Sequence, residues 1–310
     1  MIKKMGKSLQ CAPKPEGEAL FAYLADLACA ALREEVSAAP KPGLVCPGDS
    51  GAHSDMDYTV FLAGIAALRP YFVECARLGA QLCHLAPPES MPLLRKAGLA
   101  GEKAMLAATG GANTHKGAIF SLGLLVAASS RLCVLPSEDV SGECLPLAVR
   151  SAAVAASFVP GLTARELLPL RTAQPTRKLT AGELLFLRYG TSGIRGEAES
   201  GFPSALCALQ SLEQFAHTPL LSCALPQTLL GLMVQVEDSN VLWRSGPQGQ
   251  LLVRRAAAQA LACGGMFSPA GRAAVRAMCL EFTQRRISPG GSADLLALAV
   301  FLFKLESLGR

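Results

Sequence analysis

Apolar residues recur along this chain at intervals of three and four, the spacing of one face of an α-helix. The first two such stripes are Leu20, Leu24, Leu27 and Ala31, then Phe61, Ile65, Leu68 and Phe72. No run of alternating apolar and polar residues competes with them. Ala and Leu are plentiful while aromatic residues make up only 5%, a balance that suits close-packed helices better than a β-rich sandwich. The sequence therefore predicts an all-α fold.

Proline, glycine and capping signals divide the rest of the chain into further helices. The Pro40 to Gly43 segment ends the first helix, and Ser54 or Asp55 is a possible N-cap of the second. Thr180 and Glu183 form a capping-box pattern before another predicted helix. The remaining helices are predicted at roughly 90–109, 119–128, 145–158, 203–215, 227–236, 251–263, 269–286 and 292–308. We expect a polar N-terminal arm over 1–17 and a single multi-helix domain over 18–310, with Gly-rich polar loops at the helix junctions forming the active site.

The composition argues against several classes of protein. With 29 basic and 24 acidic residues the net charge is +5, too mild to indicate nucleic-acid binding. The eleven cysteines form no C-x-x-C pair, so neither a zinc site nor a disulfide framework is indicated. The N-terminal lysines precede no apolar segment, and the uncharged stretch 214–236 is interrupted by Pro219 and Pro226, which argues against a secretory signal and a membrane span. We expect a cytoplasmic protein outside the membrane.

The stretch from Gly110 to Phe120 carries the densest set of chemical groups. Three glycines, Asn113, Thr114, His115 and Lys116 lie there between two apolar runs. Glycines let a chain bend close to a ligand, and a helix N-terminus favours negative charge. A phosphate is the expected ligand. From this stretch alone, a plain helix–loop–helix corner is an equally good explanation.

Four more polar patches follow, and three of them contain glycines. They are residues 41–57 with Lys41, His53, Asp55 and Asp57, residues 193–201 with Arg195 and Glu197, residues 237–240 with Asp238 and Asn240, and residues 288–294. Paired carboxylates suit Mg²⁺, and an arginine suits phosphate. Helix capping explains some of these acids singly. Five patches that repeatedly place carboxylates and basic residues beside glycines indicate a site for a metal-bound polyphosphate.

Glu102 lies in the third predicted helix between Leu99 and Leu106. This spacing places its carboxylate on or beside the core-facing stripe. A buried carboxylate without a partner is costly, so Glu102 is predicted to have a partner, a metal or a catalytic purpose. The alternative is a surface glutamate beside Lys103.

Six motifs, in their order, resemble one enzyme family. They are KPGLV (41–45), GAHSDMD (51–57), GANTHKGAIF (111–120), GIRGEAESGF (193–202), EDSNVL (237–242) and SPGGSADLLA (288–297). Together they resemble triphosphoribosyl-dephospho-coenzyme A synthase, which prepares the prosthetic-group precursor for the acyl carrier protein of citrate lyase and malonate decarboxylase. The similarity extends from about residue 18 to 308.

The resemblance implies an all-α transferase that uses Mg-ATP and 3′-dephospho-coenzyme A. The 2′-hydroxyl of the acceptor ribose would attack C1′ of the ATP ribose and expel adenine. A β-nucleotide that gives an α product implies inversion through an oxocarbenium-like transition state. The product would pass to a separate enzyme that modifies the carrier protein.

Roles for the motif residues follow from the resemblance. Phosphate binding is expected from Lys41, Lys116 and Arg195 with Mg²⁺, and further substrate contacts from His53, Asn113, Thr114, His115 and Asn240. Metal ligands are expected among Asp55, Asp57, Glu197 and Asp238, and catalytic carboxylates among Glu102, Asp55 and Glu197, with Glu102 as the base that receives the hydroxyl proton.

The chain departs from the family pattern at three positions. Relatives usually carry Asp where Cys46 stands, a basic residue where Pro47 stands and Thr where Ser239 stands. A thiol is a poor Mg²⁺ ligand at neutral pH, so Asp49 is a candidate replacement. Two alternative functions stay open: a Mg-dependent nucleotide-ribosyl hydrolase, and a non-catalytic nucleotide- or carrier-protein-binding module. A helix-packed homodimer is also possible.

Overall fold

The computed structural model describes residues 15–135, 145–172, 177–215 and 221–309, and within these ranges it contains helices and no strand. The α-helices are α1 (Gly17–Ser37), α2 (Tyr58–Gln81), α3 (Met91–Ala108), α4 (Lys116–Val134), α5 (Leu147–Phe158), α6 (Leu162–Glu166), α7 (Ala181–Tyr189), α8 (Ile194–Glu199), α9 (Pro203–Phe215), α10 (Leu221–Gln235), α11 (Ser239–Ala262), α12 (Pro269–Gln284) and α13 (Gly290–Gly309). The all-α prediction is confirmed. Most of the predicted polar arm lies outside the described residues.

Several predicted boundaries were wrong for identifiable reasons. Helix α11 begins at Ser239, well before the predicted start at residue 251, and bends at Gly246, whose φ is 62°. Pro247 follows this bend and cannot donate a helical hydrogen bond, which is why the helix signal appears broken in the sequence. The predicted loop over 193–201 contains the short helix α8. The N-cap of α2 is Asp57, whose carboxylate accepts from the Val60 N–H at 2.9 Å, and not Ser54 or Asp55.

Helix α4 lies at the centre of the fold, where it packs on α1, α2, α3, α5 and α13. Its contact with α2 is close because Gly79 lies against the backbone of Ala127; a Cβ at position 79 would lie 2.1 Å from the Ala127 carbonyl oxygen. The Tyr71 hydroxyl donates to the Ile119 carbonyl at 2.8 Å. Burying a side chain such as Leu122 contributes about 1.5–3 kcal/mol. This packing therefore holds α4 in a fixed position against its neighbours.

Three described segments have the length and apolar composition of a membrane span: Tyr58–Gln81, Lys116–Val134 and Leu147–Arg171. None of them is the stretch 214–236 that the sequence analysis considered. In the second segment, α4, 72% of the apolar window is buried inside the protein. Its apolar character is therefore used for helix packing, while the prediction of a protein outside the membrane stays a prediction.

The first turns of α4, α11 and α13 meet at one place. A Cβ at Gly117, in α4, would lie 2.1 Å from a carboxylate oxygen of Asp294 in α13. A Cβ at Gly290, in α13, would lie 2.5 Å from the side-chain nitrogen of Asn240 in α11. Each helix N-terminus carries partial positive charge, so this junction favours an anionic ligand.

Candidate active site

A cavity of about 1020 Å³ opens at this junction. Its walls come from the first turns of α4, α11 and α13, from α8 and from the loops that follow α1 and α7. Ten of the predicted site residues line it: Lys41, His53, Asp55, Asn113, Thr114, His115, Lys116, Arg195, Glu197 and Asn240. A second cavity of about 790 Å³, between the later part of α11 and residues 285–287, contains Arg255 and Arg285 but none of these motif residues.

Lys41 is held in the wall by a buried ion pair. Its ammonium donates to the Glu35 carboxylate at 2.5 Å and to the Glu35 carbonyl at 2.7 Å, and both side chains are under 10% exposed. Burial raises the pKa of Glu35, while Lys41 opposes that rise. A lysine ammonium has three donors, so one remains for a ligand. Gly43 permits the turn that brings Lys41 here, since its φ is 71°. A Cβ at this position would lie 2.0 Å from the Ile287 carbonyl oxygen.

His115 precedes α4 and is a neutral, buried imidazole. Its Nδ1 lies 2.8 Å from the Thr114 hydroxyl, and its ring meets Phe61 edge-on at 5.0 Å. Burial and the nearby Lys41 lower the pKa of His115 to about 3. Its Nε2 has no hydrogen-bond partner among the described residues. A buried nitrogen without a partner in a cavity wall is suited to a ligand hydrogen bond.

Lys116 and Glu102 form an ion pair at 2.5 Å. Lys116 lines the cavity, whereas Glu102 does not. The predicted apolar stripe was wrong at Leu99, which is 64% exposed, whereas Glu102 is 25% exposed and has a partner, as predicted, in Lys116. Glu102 therefore positions the Lys116 ammonium, and the structure offers no contact between Glu102 and the cavity that a base would need.

Arg195 is positioned by an acid that the sequence analysis did not single out. Its Nε donates to Glu166 at 2.9 Å, and Arg95 bonds the other oxygen of the same carboxylate. Burial opposes ionisation of Glu166, but the two arginines hold its pKa below the usual value. Because Arg195 uses only Nε for this bond, the two terminal nitrogens of its guanidinium remain for a phosphate.

Three of the predicted acids are already bonded within the chain. Asp57 caps α2 and does not line the cavity. Glu197 lines the cavity but accepts from the Ser204 hydroxyl at 2.6 Å and from the Ser204 N–H at 3.3 Å. Asp238 is 1% exposed and lies behind the cavity wall. Of the four predicted metal ligands, Asp55 has the carboxylate most available, since its side chain is 63% exposed.

His53 connects three groups at the mouth of the cavity. Its Nε2 lies 2.9 Å from the Ser288 hydroxyl, and its Nδ1 lies 3.3 Å from Arg244 and 3.7 Å from Asp55. Burial and Arg244 lower the pKa of His53. Arg244 can only donate to Nδ1 and Asp55 can only accept from it, so these two neighbours favour opposite tautomers of His53.

The structure adds cavity residues that the sequence analysis missed. Trp243, 54% exposed, and Arg244 line the cavity from the first arm of α11, and Asp294 lines it from α13. Trp243 is the only tryptophan of the chain. Its exposure could not be read from periodicity, because the bend at Gly246 separates it from the rest of the helix pattern.

Cys46 and its proposed replacement Asp49 lie outside the cavity lining. They pair through two backbone hydrogen bonds of 2.9 and 3.1 Å that close a tight turn. Cys46 is 5% exposed, and Asp49 accepts from the Gly51 N–H at 2.8 Å. Neither residue is placed to hold a metal in this cavity.

The chain is similar to known proteins over most of its length. The family model for ATP:dephospho-CoA triphosphoribosyl transferase matches residues 21–310. The chain is 41% identical to the 2-(5''-triphosphoribosyl)-3'-dephosphocoenzyme-A synthase of Klebsiella pneumoniae over 276 residues, 88% of this chain and 87% of the relative. It is 40% identical to the protein of the same name from Escherichia fergusonii over 281 residues, 90% and 89% of the two chains.

Among solved structures, the fold is similar to that of an Archaeoglobus fulgidus protein provisionally described as a triphosphoribosyl-dephospho-CoA synthase. The TM-score is 0.51 at 18% identity, and the match covers 79% of this chain and 98% of that one. At this identity the similarity supports the fold alone. The family model and the two relatives reach across nearly the whole chain, so this protein belongs to the ATP:dephospho-CoA triphosphoribosyl transferase family.

Proposed function

We propose that this protein transfers the 5-triphosphoribosyl group of ATP to the 2′-hydroxyl of 3′-dephospho-coenzyme A and releases adenine. The family supplies the reaction class, and the cavity supplies groups that suit it. The observation that carries the proposal is the convergence of Lys41, Lys116 and Arg195 with three helix N-termini on one cavity. A triphosphate carries several negative charges, and fixed cations and backbone dipoles are the groups that bind such an anion.

Each of the three cations is paired with an acid of the chain and keeps N–H donors that can bond to a ligand. Glu35 holds Lys41, Glu102 holds Lys116, and Glu166 holds Arg195. A positioned cation loses less side-chain entropy when the ligand binds than a free one does. The arrangement therefore favours a triphosphate held in one orientation, which the attack on C1′ requires.

The residues present are compatible with Mg²⁺ held mainly by the ligand. No cluster of three or more His, Cys, Asp or Glu side chains suited to a metal occurs in the described part of the chain. Mg²⁺ commonly uses one or two carboxylates together with waters and substrate phosphates. We assign the protein ligand to Asp55, whose exposed carboxylate lines the cavity. When bound, the ion would neutralise phosphate charge.

The Mg²⁺ assignment is tested by removal and by variants. We expect chelation with EDTA to abolish turnover and added Mg²⁺ to restore it. Asp55→Asn should raise the Mg²⁺ concentration needed for half-maximal rate by roughly tenfold. Asp57→Asn is the matched control, because that carboxylate caps α2 away from the cavity. Equal Mg²⁺ requirements for the two variants would refute the assignment.

The function is tested by measuring adenine release from Mg-ATP with and without 3′-dephospho-coenzyme A, and by weighing the coenzyme product. We expect release that depends on the acceptor and a product mass increased by one triphosphoribosyl group. Release without the acceptor would instead indicate the ribosyl hydrolase. ATP binding without release, followed through Trp243 fluorescence, would indicate the non-catalytic module.

Variants connect the activity to the cavity. Lys116→Gln should raise the KM for ATP, because it removes an ammonium from the cavity wall. Lys103→Gln removes an exposed lysine from α3 that does not line the cavity and serves as the control. If both changes have the same effect on KM, the assignment of Lys116 to the triphosphate is wrong.

We further propose that the product serves the prosthetic group of a citrate lyase or malonate decarboxylase carrier protein, through a separate modifying enzyme. Supplying the product to each apo carrier protein with its transfer enzyme would distinguish the two systems. The cytoplasmic location and the possible homodimer stay predictions of the sequence.

A further inference from the structure

Asp294 is an acid in the cavity that the assignments above leave without a role. It lies in the first turns of α13, lines the cavity and is partly buried. No hydrogen bond or ion pair to Asp294 is found within the described residues. Glu197 and Asp238, in contrast, are bonded to N–H and O–H donors.

The surroundings of Asp294 favour its protonated form. Burial is the main cause that raises the pKa of Asp294 well above its usual range, and the carboxyl groups of Glu35 and Asp238 add to it. These two acids face it from the end of α1 and the start of α11. The two lysines of the same wall are each paired with another acid, Lys41 with Glu35 and Lys116 with Glu102. These surroundings therefore favour the form of Asp294 that carries a proton and can donate it.

The fold keeps space for this group. An oxygen of Asp294 lies so close to Gly117 that a Cβ there would be 2.1 Å away. The carboxyl group thus sits against the first turn of α4, beside His115 and Lys116 in the cavity wall. Any side chain at position 117 would push it from this place.

The proposed reaction needs a proton at the base that leaves. When C1′ separates from N9, the electron pair of the bond passes to the purine, and an adenine anion is a poor leaving group. A carboxylic acid kept neutral in a protein can supply the proton in the transition state, which contributes about 10²–10⁴-fold to the rate.

We propose that the Asp294 carboxyl group is the general acid that protonates the departing adenine. This inference rests on the proposed transfer reaction. The C1′–N9 bond breaks with its electron pair going to the purine, and the Asp294 proton moves to a purine ring nitrogen, so neutral adenine leaves. The 2′-oxygen of the acceptor bonds to C1′ and releases its proton to water. The Asp294 carboxylate then regains a proton from water.

The decisive experiment compares two donors. ATP needs a proton on its leaving group, whereas nicotinamide riboside 5′-triphosphate releases neutral nicotinamide without one. We expect Asp294→Asn to lower kcat with ATP by roughly 10²–10⁴-fold and to lower it less than tenfold with the nicotinamide donor. Asp26→Asn, an exposed acid paired with Arg69, is the control. Unchanged turnover of ATP by Asp294→Asn would overturn the proposal, and so would equal losses with both donors.

The pH profile gives a second readout that needs only ATP. Wild-type kcat should fall on the alkaline side as Asp294 loses its proton, and Asp294→Asn should lack this limb and show a low, flat rate. Retention of the limb in a folded Asp294→Asn protein would also overturn the proposal. If the wild-type protein releases no adenine from ATP, the proposed function fails instead, so the two failures are distinguishable.

Discussion

The Asp238 carboxylate accepts two hydrogen bonds from Ser292, one from its backbone N–H at 2.7 Å and one from its hydroxyl at 3.0 Å. The other oxygen of the same carboxylate accepts from Asn240 and Val241 at the start of α11. One buried acid therefore joins the first turns of α11 and α13, and this contact fixes the wall from which Asn240 and Asp294 line the cavity.

Asp238→Ala should lower the free energy of unfolding by roughly 2–4 kcal/mol. The change removes a helix cap, worth about 1 kcal/mol, and leaves buried N–H donors of two helices without partners. Ser292→Ala removes only the hydroxyl donor and should cost about 1 kcal/mol. Urea unfolding of the two variants measures the difference. If Asp238→Ala were as stable as the wild type, the structural role of this carboxylate would be refuted.

Arg195→Ala should raise the KM for ATP by roughly tenfold to a hundredfold, because a hydrogen bond to a charged group contributes about 1.5–3 kcal/mol. Arg95→Ala is a close control, since Arg95 bonds the same Glu166 but does not line the cavity. Its KM should stay within about twofold of the wild type. The measurement is steady-state adenine release over a range of ATP concentrations, and equal KM changes in the two variants would count against a phosphate contact by Arg195.

His115 should make the protein less stable in acid. Its pKa is about 3 in the folded protein, against an ordinary value near 6.5. Between these values the unfolded chain binds a proton that the folded protein does not, so stability falls as the pH is lowered through this window. The loss should reach roughly 3 kcal/mol by pH 4, since one pKa unit corresponds to about 1.4 kcal/mol.

The test of this pH dependence is urea unfolding of the wild type and of His115→Phe at several values between pH 7 and pH 4. Phenylalanine keeps a ring beside Phe61 but cannot titrate. The stability difference between the two proteins should shift in favour of the variant as the pH falls. A difference that is constant with pH would show that His115 is not held neutral.

Cys46→Asp should not increase activity, although relatives are expected to carry Asp here. The thiol is buried outside the cavity lining, so a new carboxylate would be desolvated near Asp49 and would not reach the ligand. We expect a loss of about 1–3 kcal/mol in unfolding free energy and turnover within twofold of the wild type. Adenine release and urea unfolding measure both, with Cys46→Ser as the control. A clear rise in kcat would support the reading that Cys46 has impaired the enzyme.

The sequence by itself determined the fold class and the set of motifs that form the cavity. Helix periodicity is a local property, so the stripes of α1 and α2 and the capping box at Thr180 and Glu183 were predicted correctly. The Gly- and Lys-containing patches also lie where the helices begin, because the same residues that end and start helices expose backbone groups to a ligand.

Only the tertiary structure decided which acids remain available. Asp57, Glu102, Glu197 and Asp238 are all plausible in sequence, yet each is bonded to a donor of the chain. The Ser292 donor that occupies Asp238 lies 54 positions away, and the glycine that gives Asp294 its space is in α4. The protonation and availability of a carboxylate depend on what surrounds it in space, and a linear pattern does not contain that information.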